Sequence, residues 1–257
     1  MNPSAFSIGP LIRTGTSLLF LGRAWQHAIK EMPYAVLWDM PHLQDAMSII
    51  FFVMAGLVWL PKQWIVPHRL VDLLWIGMIG VLVASLASYQ HHPERAIIQF
   101  WEHSAQMWMP ILCWAWFKDK LTESWIAWGT KIAVAFTFLC HGLFALGWPY
   151  ELPGNFLAMT ELILSVDHAG ATSFLLIAGT LDLLIVVGLW FRQTALVVLP
   201  YAAFWGTATA IARVWAYSGG SDWGMDLWIW LPETLLRAPH AIVPVVLWLF
   251  IRSGVWK

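Results

Sequence analysis

Eight apolar segments run along the chain, and the charged residues, prolines and glycines collect between them. A membrane-spanning helix needs about 20 mostly apolar residues. Because lipid offers no partner to an unpaired backbone group, each segment is predicted to be a helix. The pattern therefore predicts an all-α integral membrane bundle of eight transmembrane helices. The predicted spans are 11–29, 43–60, 70–88, 100–117, 127–147, 170–191, 194–214 and 238–253.

Composition supports this class of protein. Of the 257 residues, 60% are hydrophobic and 11% are charged, whereas soluble domains carry about 25% charged residues. Eight spans use nearly the whole chain, so no soluble domain is expected beside them. The net charge of -1 argues against a nucleic-acid partner. The expected partners are the lipid bilayer and other membrane-protein subunits.

The basic residues predict the orientation of the bundle. With the N-terminus in the cytoplasm, nine of them flank the inner ends of the spans and four lie at the outer ends, so both termini are predicted to be cytoplasmic. The inner nine are Arg13, Lys62, Arg69, Lys118, Lys120, Lys131, Arg192, Arg252 and Lys257; the outer four are Lys30, Arg95, Arg213 and Arg237. The outer loops, 31–45, 94–102, 151–167 and 222–233, are longer and acidic, and most histidines lie near them. Function is expected at this outer face.

The chain is also interpreted as two four-helix halves in tandem, residues 1–120 and 121–257. Residues 13–22 can be laid over 131–140, and 109–114 over 243–248. Each half would enter the membrane from the cytoplasm, so the repeat would be parallel.

The second half resembles the DoxX-like family of bacterial membrane proteins, over about residues 131–253. The resemblance depends on residues 138–143 and on the small-residue stretch 178–195, in which His141, Asp182, Gly188 and Arg192 match the family pattern. The first half departs from it, since Arg23 replaces the histidine. The resemblance implies a four-helix bundle in the bacterial inner membrane, in some members a subunit linked to quinone and sulfur-compound oxidation. It implies a packing role for Asp182. Because this carboxylate falls near the middle of a span, it is expected to be protonated, hydrogen-bonded to Thr207 or Thr209, or paired with a cation; a proton relay is the alternative role.

Polar residues at the start of the fourth span form the first candidate ligand-binding group. Gln99, Glu102, His103 and Gln106 lie at i, i+3, i+4 and i+7, so they share one helical face. A carboxylate, an imidazole and two amides could bind a quinone head group, transfer protons or hold a metal. The alternative is a solvated helix entrance.

Arg23 and His27 form a second group on one face of the first span. A lipid-exposed arginine inside a span costs about 2.5–3.5 kcal/mol on insertion scales. Arg23 is therefore expected to face the bundle and to pair with an acid, Glu102 or Asp45. This ion pair could fix helix packing only, or Arg23 could polarise a bound ligand.

The remaining histidines raise the question of a metal. His27, His103, His141 and His240 are predicted at similar depth, as opposed haem or copper ligands would be. No His-x-x-x-His or Cys-x-x-Cys motif accompanies them, so no metal ligand is assigned, and haem or copper is a weaker expectation than quinone. Two outer loop clusters, residues 39–42 and 91–95, could complete a site if they fold over the bundle.

Three functions remain open from the sequence. The leading hypothesis is a membrane subunit of an electron-transfer assembly with an outer-leaflet site for a quinone-like ligand, drawing on Arg23, His27, Gln99, Glu102, His103, Gln106 and His141. The second is a non-catalytic accessory or scaffold subunit of a larger redox or photosynthetic complex. The third is a periplasm-facing carrier of metal or a small solute. No catalytic residue is assigned, and whether the chain is an enzyme is undecided.

Overall fold

Every secondary-structure element of the described residues is helical. A computed structural model describes residues 3–30, 32, 35, 39, 41–67, 69–87, 96–149, 151–220 and 222–254. The helices are α1 (Pro3–Ile29), α2 (Pro41–Leu57), α3 (Lys62–Ile65), α4 (Leu74–Ala87), α5 (Ala96–Trp101), α6 (Ser104–Phe117), α7 (Ser124–Leu146), α8 (Gly154–Leu164), α9 (His168–Gly188), α10 (Arg192–Tyr217), α11 (Trp223–Leu235) and α12 (Ala238–Arg252). A 3-10 turn, Leu70–Leu73, leads into α4. The predicted all-α class is confirmed.

Helices long and apolar enough to cross a membrane occur at four places in the described chain. They are α7, α9, α10 and the run Trp223–Arg252, in which α11 and α12 follow one another with a bend at Leu236 and Arg237. Shorter apolar helices lie at three further places, among them α2 and the segment Leu70–Leu86. The chain therefore has the helices of a membrane protein.

Two helices begin at an aspartate cap, and one ends at a left-handed glycine. Asp167 accepts a hydrogen bond from the Gly170 amide at the start of α9, and Asp222 accepts one from the Met225 amide at the start of α11. Gly147 ends α7 at a φ of 67°, a left-handed conformation that a residue without Cβ adopts readily.

Three segments predicted as outer loops are in fact largely helical. Helix α5 lies within residues 94–102, α8 lies within residues 151–167, and α11 makes up most of residues 222–233. The prediction was wrong because it searched for spans of about 20 residues and assigned shorter apolar segments to loops. The spacing of Phe156, Met159, Thr160 and Ile163 already has the period of one helix face.

The long helices pack in two rings joined side by side. In the first, α1 contacts α2, α2 contacts α4, α4 contacts α6, and α6 returns to α1. In the second, α7 contacts α9, α9 contacts α10, α10 contacts α12, and α12 returns to α7. Helix α1 packs on α11 and α12, while α6 packs on α7 and α12. One apolar cluster continues through both rings.

Glycines allow the closest approaches between these helices. A Cβ on Gly22 of α1 would collide with the backbone nitrogen of Leu236, and a Cβ on Gly206 of α10 would collide with the carbonyl oxygen of His240. Backbones therefore touch where α1 and α10 meet the bend between α11 and α12, as small residues permit in membrane bundles.

Candidate functional site

A cavity of about 720 Å³ lies among the helices around that bend. Ligand sites usually enclose about 300–1,000 Å³, so this space can hold a small organic molecule. Its lining residues come from α1 of the first ring, from α7, α9, α10 and α12 of the second, and from the shorter helices α5, α8 and α11.

The cavity has a polar side and an apolar side. Arginine, glutamine, glutamate and histidine side chains enter it from α1, α5, α7 and the bend. Helices α8, α9 and α10 form a mostly apolar wall, with Phe156 and Met159 of α8, Phe174 of α9 and Trp205 of α10; Asp182 and Arg213 are its ionisable residues. A ligand with a polar head and an apolar body matches this division.

The apolar wall reaches the outside of the bundle. Leu164, Ile211 and Trp215 line the cavity and are 43%, 41% and 69% exposed. The lining of the cavity therefore continues onto the exposed surface of the bundle.

Arg23 lies on the polar side and is only 4% exposed. Its two terminal nitrogens donate hydrogen bonds to the Oε1 atoms of Gln26, at 3.1 Å, and Gln106, at 2.7 Å. The predicted burial of Arg23 is confirmed, but these bonds go to amides where the sequence suggested Glu102 or Asp45. Asp45 is exposed on α2, and Glu102 contacts histidines.

The side-chain amide of Gln106 contacts both Arg23 and His240. Because Gln106 Oε1 accepts from the guanidinium, its amide nitrogen faces His240 Nε2, at 3.3 Å, and must donate. A neutral His240 then carries its proton on Nδ1. Nδ1 is buried and has no hydrogen-bond partner among the described residues. This side chain is a donor without an acceptor, in the wall of the cavity.

The Glu233 carboxylate binds two basic side chains and one amide on the polar side. Its Oε1 accepts from Lys30 at 3.0 Å and from Gln26 at 2.9 Å, and its Oε2 accepts from Arg237 at 2.6 Å. The sequence placed Lys30 and Arg237 only at outer helix ends and assigned no role to Glu233. Their association depends on α11, the helix that the span prediction missed.

Glu102 lies between two histidines. Its carboxylate oxygens are 3.7 Å from His103 Nε2 and 3.9 Å from His141 Nε2. The ring of His141 meets the ring of His240 edge-on, with centroids 5.2 Å apart. These three imidazoles and one carboxylate could hold and exchange protons beside a ligand.

The predicted stripe on the fourth span is only partly continuous. The helix is interrupted at Glu102 and His103, between α5 and α6. Gln99, Glu102 and His103 line the cavity, whereas Gln106 is fully buried and lies behind the wall as the link to His240. The four predicted residues therefore do not form one surface: three of them line the cavity, and Gln106 lies behind them.

Two other residues differ in their relation to the cavity. His27 is buried, donates from Nδ1 to the Arg23 carbonyl oxygen, and packs against the Phe51 ring; it is not among the lining residues. Asp182 does line the cavity, 2% exposed, and its Oδ1 has no hydrogen-bond partner in the described part of the chain. The suggested partners Thr207 and Thr209 instead donate to carbonyl groups of their own helix.

The remaining predicted clusters lie elsewhere or outside the described residues. His168 is exposed and pairs with Glu161 at 3.1 Å. His42 is exposed, while Met40, residues 91–95 and Lys257 fall outside the described chain. Within the described residues, no group of three or more His, Cys, Asp or Glu is arranged to hold a metal ion.

Comparison with known proteins does not assign the chain to a family. No family model, no curated protein and no solved structure matches the chain. The resemblance to the DoxX-like family therefore stays a prediction from the residues quoted above.

Proposed function

We propose that this chain binds a quinone-like, lipid-soluble ligand in the large cavity, as a membrane subunit of an electron-transfer assembly. The observation that carries the proposal is the division of the cavity. Hydrogen-bonding groups line it from α1, α5, α7 and the bend, whereas α8, α9 and α10 contribute mostly apolar groups, of which Ile211 and Trp215 are exposed. A quinone has the same two parts, a ring with two carbonyl acceptors and an apolar tail.

The polar side supplies what such a head group needs. His240 presents Nδ1–H as a donor that lacks an acceptor. Arg213 and Arg237, which also line the cavity, offer further donors for a second carbonyl. Reduction of a quinone consumes two electrons and two protons. Electrons would come from a redox partner subunit, and Glu102, His103 and His141 could deliver the protons.

The wider membrane arrangement belongs to the same proposal. Eight spans in two four-helix halves, 1–120 and 121–257, are consistent with the two rings of helices. In this arrangement both termini are in the cytoplasm of a bacterium, and the cavity opens in the outer half of the inner membrane. A DoxX-like origin would account for His141 and Asp182 in the wall.

The orientation can be tested by single introduced cysteines. Asp222→Cys is expected to react with an impermeant maleimide added to intact spheroplasts, and Lys120→Cys only after permeabilisation. The opposite labelling pattern refutes the proposed orientation. The native cysteines, 0% and 3% exposed, give little background.

Ligand binding can be tested on protein purified in mild detergent. Mass spectrometry of extracted lipids is expected to find quinone in stoichiometric amount. A short-chain quinone should raise the unfolding temperature, and an alkylbenzene of equal chain length should not. His240→Phe should abolish this rise, and His168→Phe, at an exposed position, should preserve it. Absence of quinone together with no quinone-dependent rise contradicts the proposal.

The accessory-subunit hypothesis remains the second candidate. The observation in its favour is that much of the polar side is already satisfied internally, since Glu233 holds Lys30, Arg237 and Gln26. A closed bundle with every polar group paired would favour it further. The open cavity lined by Arg23, Glu102 and His103 favours a binding site instead. For the carrier hypothesis, elemental analysis of the purified protein tests the metal form.

A further inference from the structure

A second, smaller cavity lies at the other end of α7, α10 and α12. Its volume is about 240 Å³, and its walls include Trp128 and Lys131 of α7, Trp190 and Arg192 at the α9–α10 turn, and Ile251 of α12. The large cavity uses the opposite ends of the same helices, so the two spaces are separate.

The charge of this small cavity is entirely positive. Lys131 and Arg192 line it, and no acidic side chain is among its described lining residues. Neither cation belongs to an ion pair within the described chain. The nearby carboxylate of Glu123 is already held by Lys120 at 2.9 Å and by the Trp125 indole. An anion entering here would meet two cations and no competing acid.

Two tryptophans line the small cavity together with Lys131 and Arg192. Trp128 and Trp190 are 55% and 51% exposed, and their ring centroids lie 6.2 Å apart. The Lys131 ammonium lies 5.5 Å from the centroid of Trp128 and 4.8 Å from that of Trp190. Exposed indoles beside basic residues are typical of the level at which lipid head groups meet the hydrocarbon.

The rest of the lining is apolar. Leu189, Ala195, Leu247 and Ile251 close the space beneath the charged groups. A free anion would gain nothing from these side chains, whereas the first carbons of an acyl chain would pack on them. Basic pockets between transmembrane helices bind anionic head groups by this combination.

We propose that this cavity binds the phosphate of an anionic phospholipid, with Lys131 and Arg192 as its counter-ions and Trp128 and Trp190 beside its glycerol region. The proposal is independent of the quinone-like ligand, because it uses neither the residues nor the lining of the large cavity.

Native mass spectrometry of the full chain in mild detergent tests this site. The protein is titrated with phosphatidylglycerol, with phosphatidylcholine of the same chains, and separately with inorganic phosphate. Each basic residue near an anionic head group contributes a factor of about five in affinity. Phosphatidylglycerol should therefore bind at least about fivefold more tightly than phosphatidylcholine.

Variants assign the preference to the cavity. Lys131→Gln should lower the preference about fivefold, and Lys131→Arg should retain it. Arg192→Gln, at an exposed position, tests the same site without altering the indole contacts and should also lower it. The matched control is Arg252→Gln, which removes a cation at the same end, 4.9 Å above the Trp248 ring and outside the cavity; it should leave the preference unchanged.

Three results overturn the proposal. Equal binding of the two phospholipids means that no anionic site exists. Equal loss in Arg192→Gln and Arg252→Gln means that the effect is general surface charge. Binding of inorganic phosphate that is sensitive to Lys131 and Arg192, without a preference for phosphatidylglycerol, identifies a free anion as the occupant.

Discussion

Replacing Arg23 by alanine should be one of the most destabilising single changes in this protein. The guanidinium is 4% exposed and donates to Gln26 and Gln106. Without it, the half-buried Gln26 and the fully buried Gln106 each lose a charged donor, and Gln106 loses the contact that orients it toward His240. A hydrogen bond to a charged group contributes about 1.5–3 kcal/mol, so two of them predict a loss of roughly 3–5 kcal/mol after some relaxation.

The matched comparison is Arg252→Ala. Arg252 is exposed and its described interaction is the stacking over Trp248 at 4.9 Å. Cation–π contacts at exposed sites contribute about 0.5–1 kcal/mol. The difference between the two variants is therefore predicted to be about 2–4 kcal/mol. Arg23→Lys should fall between them, because an ammonium keeps the charge without the planar fork that reaches two amides.

The free energy of unfolding can be measured by titrating SDS into mixed micelles and following tryptophan fluorescence. Wild type, Arg23→Ala, Arg23→Lys and Arg252→Ala are compared at one detergent composition. Equal stability of Arg23→Ala and Arg252→Ala would refute the reasoning, since it would mean that the buried amide contacts contribute nothing net.

Three further predictions use other parts of the chain. Gly206→Ala should destabilise the bundle by about 1–3 kcal/mol, because its Cβ meets the His240 carbonyl, whereas Gly56→Ala, with open space around it, should be neutral or stabilising in the same SDS titration. Cys113 and Cys140 are buried, so neither should react with a maleimide until SDS unfolds the protein; labelling before unfolding contradicts the packing of α6 and α7. Lys120 and Trp125 hold the pKa of Glu123 below its ordinary value; the small stability this gives should be present above the unfolded-state pKa and be lost as the pH falls through the folded-state pKa. In thermal melts from pH 7 to pH 3 at low salt, Glu123→Gln should lack this acid-side loss, and a slope identical to wild type would count against it.

The long helices were predictable because their signal is local. A run of about 20 apolar residues can be read without knowing its neighbours, and a helix occupies most of each predicted segment. Helix α8 was missed because its 11 residues are too short for that criterion. The periodic placement of Phe156, Met159 and Ile163 was the available signal.

The site was predictable only to the extent that helix periodicity shows which residues share a face. Arg23, Glu102 and His103 were singled out because charged groups inside spans must face one another, and they do line one cavity. The sequence assigned Arg23 a carboxylate partner, and it could not show that two glutamines would accept hydrogen bonds from this side chain. The role of His240 depends on the direction of the Gln106 amide, which is set by a residue 83 positions away from Gln106. Such a relation exists only in the assembled fold.

The position of Arg23 also has a consequence for biosynthesis. Helix α1 leaves the ribosome before α6 and α11, since Gln106 follows Arg23 by 83 residues, and Glu233, which Gln26 contacts, follows Gln26 by 207 residues. Until α6 and α11 have been made, the arginine has none of these distant partners in the bilayer, and lipid exposure of such a group is unfavourable. The packing of α1 around Arg23 can therefore be completed only after α6 and α11 are present, although α1 precedes both of them along the chain.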